Sequence, residues 1–198
     1  GLFLDQLPKY PFHKGNNEVV LTTLWESKDT LVSIDLTGSS SVKEIAWWEN
    51  ELDKNPQFRD YSFQLLDTFL NNDEGKENYV LGAVSSPVQG PQLVIVQLLN
   101  DGSSIVHWNP AKSATKTFGI SSKANFFPLL KSLEENPLQW KVFNHVNQGI
   151  HFNSILLYPS SSSSSSLPLI AVPHGGPHSC FSNTFVASYV FLAKTLNA

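Results

Sequence analysis

At 198 residues, 41 % of them apolar and 15 % charged, the chain has room for one or two domains of roughly 100 to 200 residues and enough apolar content for a packed core, which argues against disorder throughout. Its formal charge of −4, with no Lys/Arg run and no basic helix, argues against nucleic acid and anionic membranes as partners. The single cysteine, Cys180, excludes an intrachain disulfide, argues against a Cys-rich metal site and fits a reducing compartment, and no apolar run reaches the ~18 residues that span a bilayer.

The start, GLFLDQLPKYPFH, has no initiator Met and no basic n-region and is broken by Pro8 and Pro11, so it does not read as a signal peptide. Because the chain stops at Ala198 inside an apolar helical pattern, both ends read as cuts through a longer protein. From Glu18 to about Phe118 the signals are those of short antiparallel strands. Val19 to Trp25 and Thr30 to Leu36 are β-rich runs around a polar turn, and the second ends in Asp35-Leu36-Thr37-Gly38. There the carboxylate can accept local N–H groups while the glycine takes φ > 0. The pattern returns at Leu93 to Leu98, Asn100-Asp101-Gly102 and Ile105 to Trp108, with further strands expected at Phe63 to Phe69 and Tyr79 to Val84. Repeated strand, Asp/Gly turn, strand units are what propeller blades look like, and the pattern fits a plain β-sandwich equally well. Trp47 and Trp48 read as core rather than as a ligand cage, and Asp53, Asp60, Glu74 and Glu77 as solvated surface.

Ser121 to Pro137 is loop-like and marks the best domain boundary. After it, Trp140 to Val146 and Ile150 to Tyr158 form a hairpin around Asn147-Gln148-Gly149. The seven-serine run Ser160 to Ser166 reads as an expanded loop, with an interdomain linker as the alternative. Leu169 to Val172 then reads as a buried strand running into the tight loop His174-Gly175-Gly176-Pro177 and a helix over Ser182 to Ala198, capped by Ser182 or Asn183 and carrying Phe181, Phe185, Tyr189, Leu192 or Ala193, and Leu196 on one stripe. A backbone donor that must meet a developing oxyanion at about 3 Å needs no Cβ in the way and freedom in φ. Gly175 and Gly176 supply both, and Pro177 stiffens the exit. The alternative is an ordinary strand-to-helix turn, since Gly-Gly-Pro is common loop punctuation.

The run Gln139 to Phe181, with LPLIAVPHGGPHSCF at its end, resembles the start of the catalytic domain in prolyl-oligopeptidase-type serine peptidases. Within that clan HGGPHS followed by Cys180-Phe181 is most similar to the acylaminoacyl-peptidase family, also called acylamino-acid-releasing enzymes, and the upstream Leu7-Pro8 and VVLTT…TLVSIDLTG are similar to its last propeller blades. The resemblance implies a mixed fold. The last blades of a β-propeller, antiparallel β, would occupy 1–120, a linker 121–138, and the start of an α/β-hydrolase domain 139–198. It also implies a Ser/Asp/His triad that releases an N-acylated residue from short blocked peptides, a cytoplasmic and homo-oligomeric parent, and no cofactor and no metal. By match to the motif, Gly176 would lend its N–H to the oxyanion hole, and His174, Gly175 and Pro177 would shape the loop. His174 is then a loop residue and not the catalytic base, which lies far downstream in the family.

The sequence departs from the pattern of an active enzyme at one decisive point. No G-x-S-x-G occurs anywhere in it, so nucleophile, acid and base are absent from this chain, which ends before the nucleophile elbow. Two other readings stay open: a clan relative with oligopeptidase or aminopeptidase specificity, and a non-catalytic interaction protein that keeps propeller and hydrolase elements. An oxyanion loop without a nucleophile has nothing to activate. The 198-residue chain alone is therefore expected to release no acetylated alanine from a blocked peptide, and inhibitor-sensitive release by the purified chain would contradict this.

Overall fold

The computed structural model describes residues 11–13, 17–38, 41–49, 56–69, 77–99, 104–108, 137–160, 167–173 and 181–196. Two four-stranded antiparallel sheets and one two-stranded ribbon carry most of these residues. The first sheet runs β1 (Phe12–His13), β2 (Glu18–Trp25), β3 (Lys28–Asp35) and β4 (Val42–Glu44), each strand beside its sequence neighbour. The second repeats the plan with β5 (Ser62–Phe69), β6 (Asn78–Ser86), β7 (Gln89–Leu98) and β8 (Ser104–Trp108). A 3-10 helix, Pro56–Asp60, precedes β5. β9 (Leu138–Asn147) and β10 (Ile150–Pro159) form the ribbon, and the helix α1 spans Ala187–Leu196.

Local chemistry accounts for the turns. Glu26 opens the β2–β3 hairpin with φ 57°, and Gln148 and Gly149, at φ 50° and 78°, close β9–β10 in register Asn147↔Ile150. Both are two-residue connections of the kind whose twist matches the strands. After β3, Asp35 Oδ1 accepts from the Thr37 backbone N–H at 2.8 Å and Gly38 takes φ 108°, the arrangement expected from the Asp-x-x-Gly run.

The core lies between the two sheets. Val20 and Leu31 from the first meet Phe63, Val80, Val94 and Val96 from the second, and Trp47 sits at the centre, fully buried. Its ring is 5.5 Å from Phe63 and 5.7 Å, edge to face, from Trp48. Lys28 closes the rim: its Nζ lies 4.2 Å above the Trp48 ring, pairs with Glu44 at 2.9 Å and donates to the Arg59 carbonyl at 2.8 Å. The two tryptophans are thus core, as their sequence setting implies.

Two expectations for the C-terminal part are corrected. Residues 167–173 form no strand, and Leu169, expected to be buried, is 81 % exposed. A strand exists through its ladder partner, and among the described residues none pairs with this segment. The helix starts at Ala187 rather than Ser182, with the Val186 carbonyl accepting the first bonds from Tyr189 and Val190. Ser182 and Asn183 cap nothing because their polar atoms are engaged on the sheets. The buried face of α1 is Val190 and Ala193, packed with Leu138, Leu157, Phe185 and Val88, while Leu192 and Leu196 face outward. Among the described residues no helix is long and apolar enough to cross a membrane.

Gly82 on β6 leaves room for the buried Phe63 ring. A Cβ placed there would fall on the ring, 2.5 Å from its Cε1. Gly82→Ala should therefore destabilise the protein by about 1–3 kcal/mol through overpacking, read as a lower urea midpoint at unchanged slope. An unchanged midpoint would mean that Phe63 is free to move aside.

Candidate functional site

His174, Gly175, Gly176 and Pro177 all lie outside the described residues, as does Cys180. The segment directly after them is described, and its polar groups bond to the N-terminal sheet region. Ser182 Oγ donates to Asp29 Oδ2 at 2.8 Å. The Asn183 backbone N–H donates to the Ser27 carbonyl at 2.7 Å. Its side-chain amide donates through Nδ2 to the Asp60 carbonyl and accepts at Oδ1 from Ser62 Oγ. Ser62 Oγ accepts in turn from the Asp29 N–H at 3.0 Å.

One polar relay thus connects four pieces of chain: the β2–β3 turn, the end of the 3-10 helix, the first residue of β5 and the segment before α1. Asn183 is 1 % exposed and Ser62 equally so. Burial of an unpaired amide is costly, so these contacts specify one seating of the segment rather than merely favouring contact. Asp60, read from sequence as solvated surface, does keep its residue exposed while its carbonyl serves the joint.

Two hollows flank the joint. A mixed cleft of about 420 Å³ is bordered by Thr22, Asp29, Ser62, Gln64, Ser182 and Thr184. An apolar one of about 380 Å³ lies among Leu157, Leu169, Ile170, Phe181, Tyr189 and Leu192. Neither contains a cluster suited to a metal, since among the described residues no three His, Cys, Asp or Glu side chains come together. Hydrogen bonding to the Glu77 carboxylate raises the Tyr79 phenol, and desolvation lowers Lys194 on α1.

Against this geometry, the sequence profile described as "Acylamino-acid-releasing enzyme, N-terminal domain" matches residues 1–125. The chain belongs to the acylamino-acid-releasing enzyme family. Among its relatives, Acylamino-acid-releasing enzyme 2 of Oryza sativa subsp. japonica is 24 % identical over 201 residues, and Acylamino-acid-releasing enzyme 1 of the same plant is 23 % identical over 195. These alignments take in 98 % and 97 % of this chain, which spans 23 % of the length of each relative. Family membership thus covers both four-stranded sheets, and the rice similarity continues through the ribbon and α1.

The sequence pattern does not reveal the joint, because Asn183 reads there as a helix cap. Its partners lie 121 and 123 residues away, a separation no local pattern encodes. Asn183→Ala should leave the buried Ser62 hydroxyl without its acceptor and the Asp60 carbonyl without its amide donor, and at about 1–3 kcal/mol for the one buried unsatisfied group the loss should be about 1–3 kcal/mol. Urea unfolding of the variant checks this, and a loss below about 0.5 kcal/mol would show the groups finding water instead.

Proposed function

We propose that this chain is the stretch of a serine-type acylaminoacyl-peptidase in which the last propeller blades, 1–120, pass through a linker, 121–138, into the opening of an α/β-hydrolase domain, 139–198. The observation that carries the reading is the family match over 1–125, which ends well before the HGGPHSCF run. Two sequential four-stranded meanders support the blade assignment, because among the described residues each is an up-and-down sheet whose strands pair only with one another. The exposed apolar Leu169, Ile170 and Val172 support the hydrolase assignment. They have the character of a buried strand and stand without ladder partners among the described residues, as a central strand would if the rest of its sheet came from further chain.

In this reading the parent enzyme cleaves the bond after the first, N-acylated residue of a short peptide. A serine hydroxyl attacks the carbonyl of that residue while a histidine takes the serine proton, and the carbonyl oxygen becomes an oxyanion. The Gly176 N–H donates to that oxyanion, held by a loop that His174, Gly175 and Pro177 shape. Collapse expels the peptide amine, which takes the proton from histidine, and water releases the N-acyl amino acid. No cofactor is needed for these steps. A cytoplasmic, homo-oligomeric enzyme acting on blocked peptides completes the reading.

The test uses the full-length protein. Gly176→Pro deletes the proposed donor and should lower kcat on an acetyl-alanyl peptide by about 10²–10³-fold with KM little changed, the usual cost of one oxyanion donor. Unchanged kcat would remove Gly176 from the oxyanion hole. A wild-type protein that neither takes up a fluorophosphonate nor releases acetyl-alanine would overturn the peptidase reading as a whole.

A further inference from the structure

The two sheets differ on the faces they turn away from each other. On the first, the cross-strand pairs Leu21↔Val32 and Thr23↔Thr30 lie on that face, and all four residues are buried. On the second, the ladders place Phe69, Tyr79, Leu81, Ile95, Ile105 and His107 together on the outer face. Phe69 is 59 % exposed there, and Leu93, Ile95 and Ile105 are exposed as well. Along β7, buried Val94, Val96 and Leu98 alternate with Leu93 and Ile95 in solvent. An antiparallel strand with one solvated face alternates apolar with polar, whereas a run that is apolar on both sides is that of a strand covered on both.

A stack of repeated units stays soluble at its ends by presenting a polar outer face there. The outer face of β5–β8 is apolar, so this sheet is built as an interior member of a stack. Its cover is not the next sheet along the chain: among the described residues the strands that follow β8 are β9 and β10, which pair only with each other. This chain spans 23 % of the length of each rice relative, so proteins of that size hold polypeptide enough for further sheets. We infer that the outer face of β5–β8 is the closing seam of a ring of sheets, covered by an antiparallel sheet that the full-length polypeptide supplies from ahead of Gly1. This rests on the blade reading above, in which the chain after 138 opens the hydrolase domain and so is not the source. A covering sheet taken out of sequence order brings the stack back on itself. The side it turns to Phe69, Ile95 and Ile105 is apolar, because burying those residues against polar groups would leave the polar groups unpaired.

The experiment uses the full-length protein with the photo-crosslinker p-benzoylphenylalanine in place of Phe69 or, in a second variant, of Ile105, and maps the products by mass spectrometry. The expected product joins the probe to a peptide ahead of Gly1 in the same chain, in a yield that dilution does not change. In wild type, hydroxyl radicals should label Ile95 and Ile105 as slowly as the buried Val94 and Val96, and not at the rate of the exposed Leu36. If neither variant folds, the labelling of wild type decides alone. Crosslinks between two chains would make the face a contact between subunits and overturn the seam. Crosslinks to peptides after Ala198, or Ile95 and Ile105 labelled as fast as Leu36, would overturn it as well, and none of these results touches the blade reading. That reading fails by a separate observation: a cryo-electron microscopy structure of the full-length protein without further four-stranded meanders would overturn it and the seam together.

Discussion

The structure turns on a single buried amide. Asn183 is almost wholly removed from water, and each of its partners belongs to a different local unit: a hairpin turn, the end of a 3-10 helix and the start of a strand. Buried polar groups must be matched in direction as well as number, so such a set acts as a key that fits in one pose. Without it, the segment before α1 would rest on the Ser182–Asp29 hydrogen bond and the apolar contact around Val190 and Ala193.

What makes the joint possible is the rigidity of the body it docks on. The two meanders enclose Trp47 and Phe63 between them, and the absence of a side chain at Gly82 lets the Phe63 ring lie against β6. Lys28, held by Glu44, the Trp48 face and the Arg59 carbonyl, ties the β2–β3 turn to the end of the 3-10 helix. Those are the same two places that supply Ser27 and Asp60 to the joint. By contrast, the far end of the ribbon leaves Val146, Ile150 and Phe152 in solvent, and α1 leaves Phe191 and Leu196 there. Apolar surface of that extent is the kind that proteins cover, and in the proposed enzyme the remainder of the hydrolase sheet would do so.

Much of the fold is legible in the sequence because it is local. Strand runs from Val19 to Trp108, the Asp35 to Gly38 turn and the Asn147 to Gly149 hairpin announce themselves through alternation and turn chemistry, and their pairing is between sequence neighbours. Reading the tryptophans as core succeeds for the same reason: large aromatics between β runs have few other places to go. The failures share a cause as well. Leu169 to Val172 has the composition of a buried strand, yet composition does not supply a ladder partner. Ser182 and Asn183 have the identity of helix caps, yet long-range hydrogen bonds compete for their side chains and the helix begins four residues after Asn183. Of the candidate site, the glycine loop stands out in the sequence and lies outside the described residues, while the joint beside it becomes visible only in three dimensions.

Whether these sheets and this joint serve a serine peptidase is tested most directly by a peptide map of the native protein from its source, read for the residues beyond Ala198. The peptidase reading predicts continuous sequence leading to a Gly-x-Ser-x-Gly segment, with a serine that a fluorophosphonate labels. A native chain that ends at Ala198, or runs on without such a segment, would contradict it.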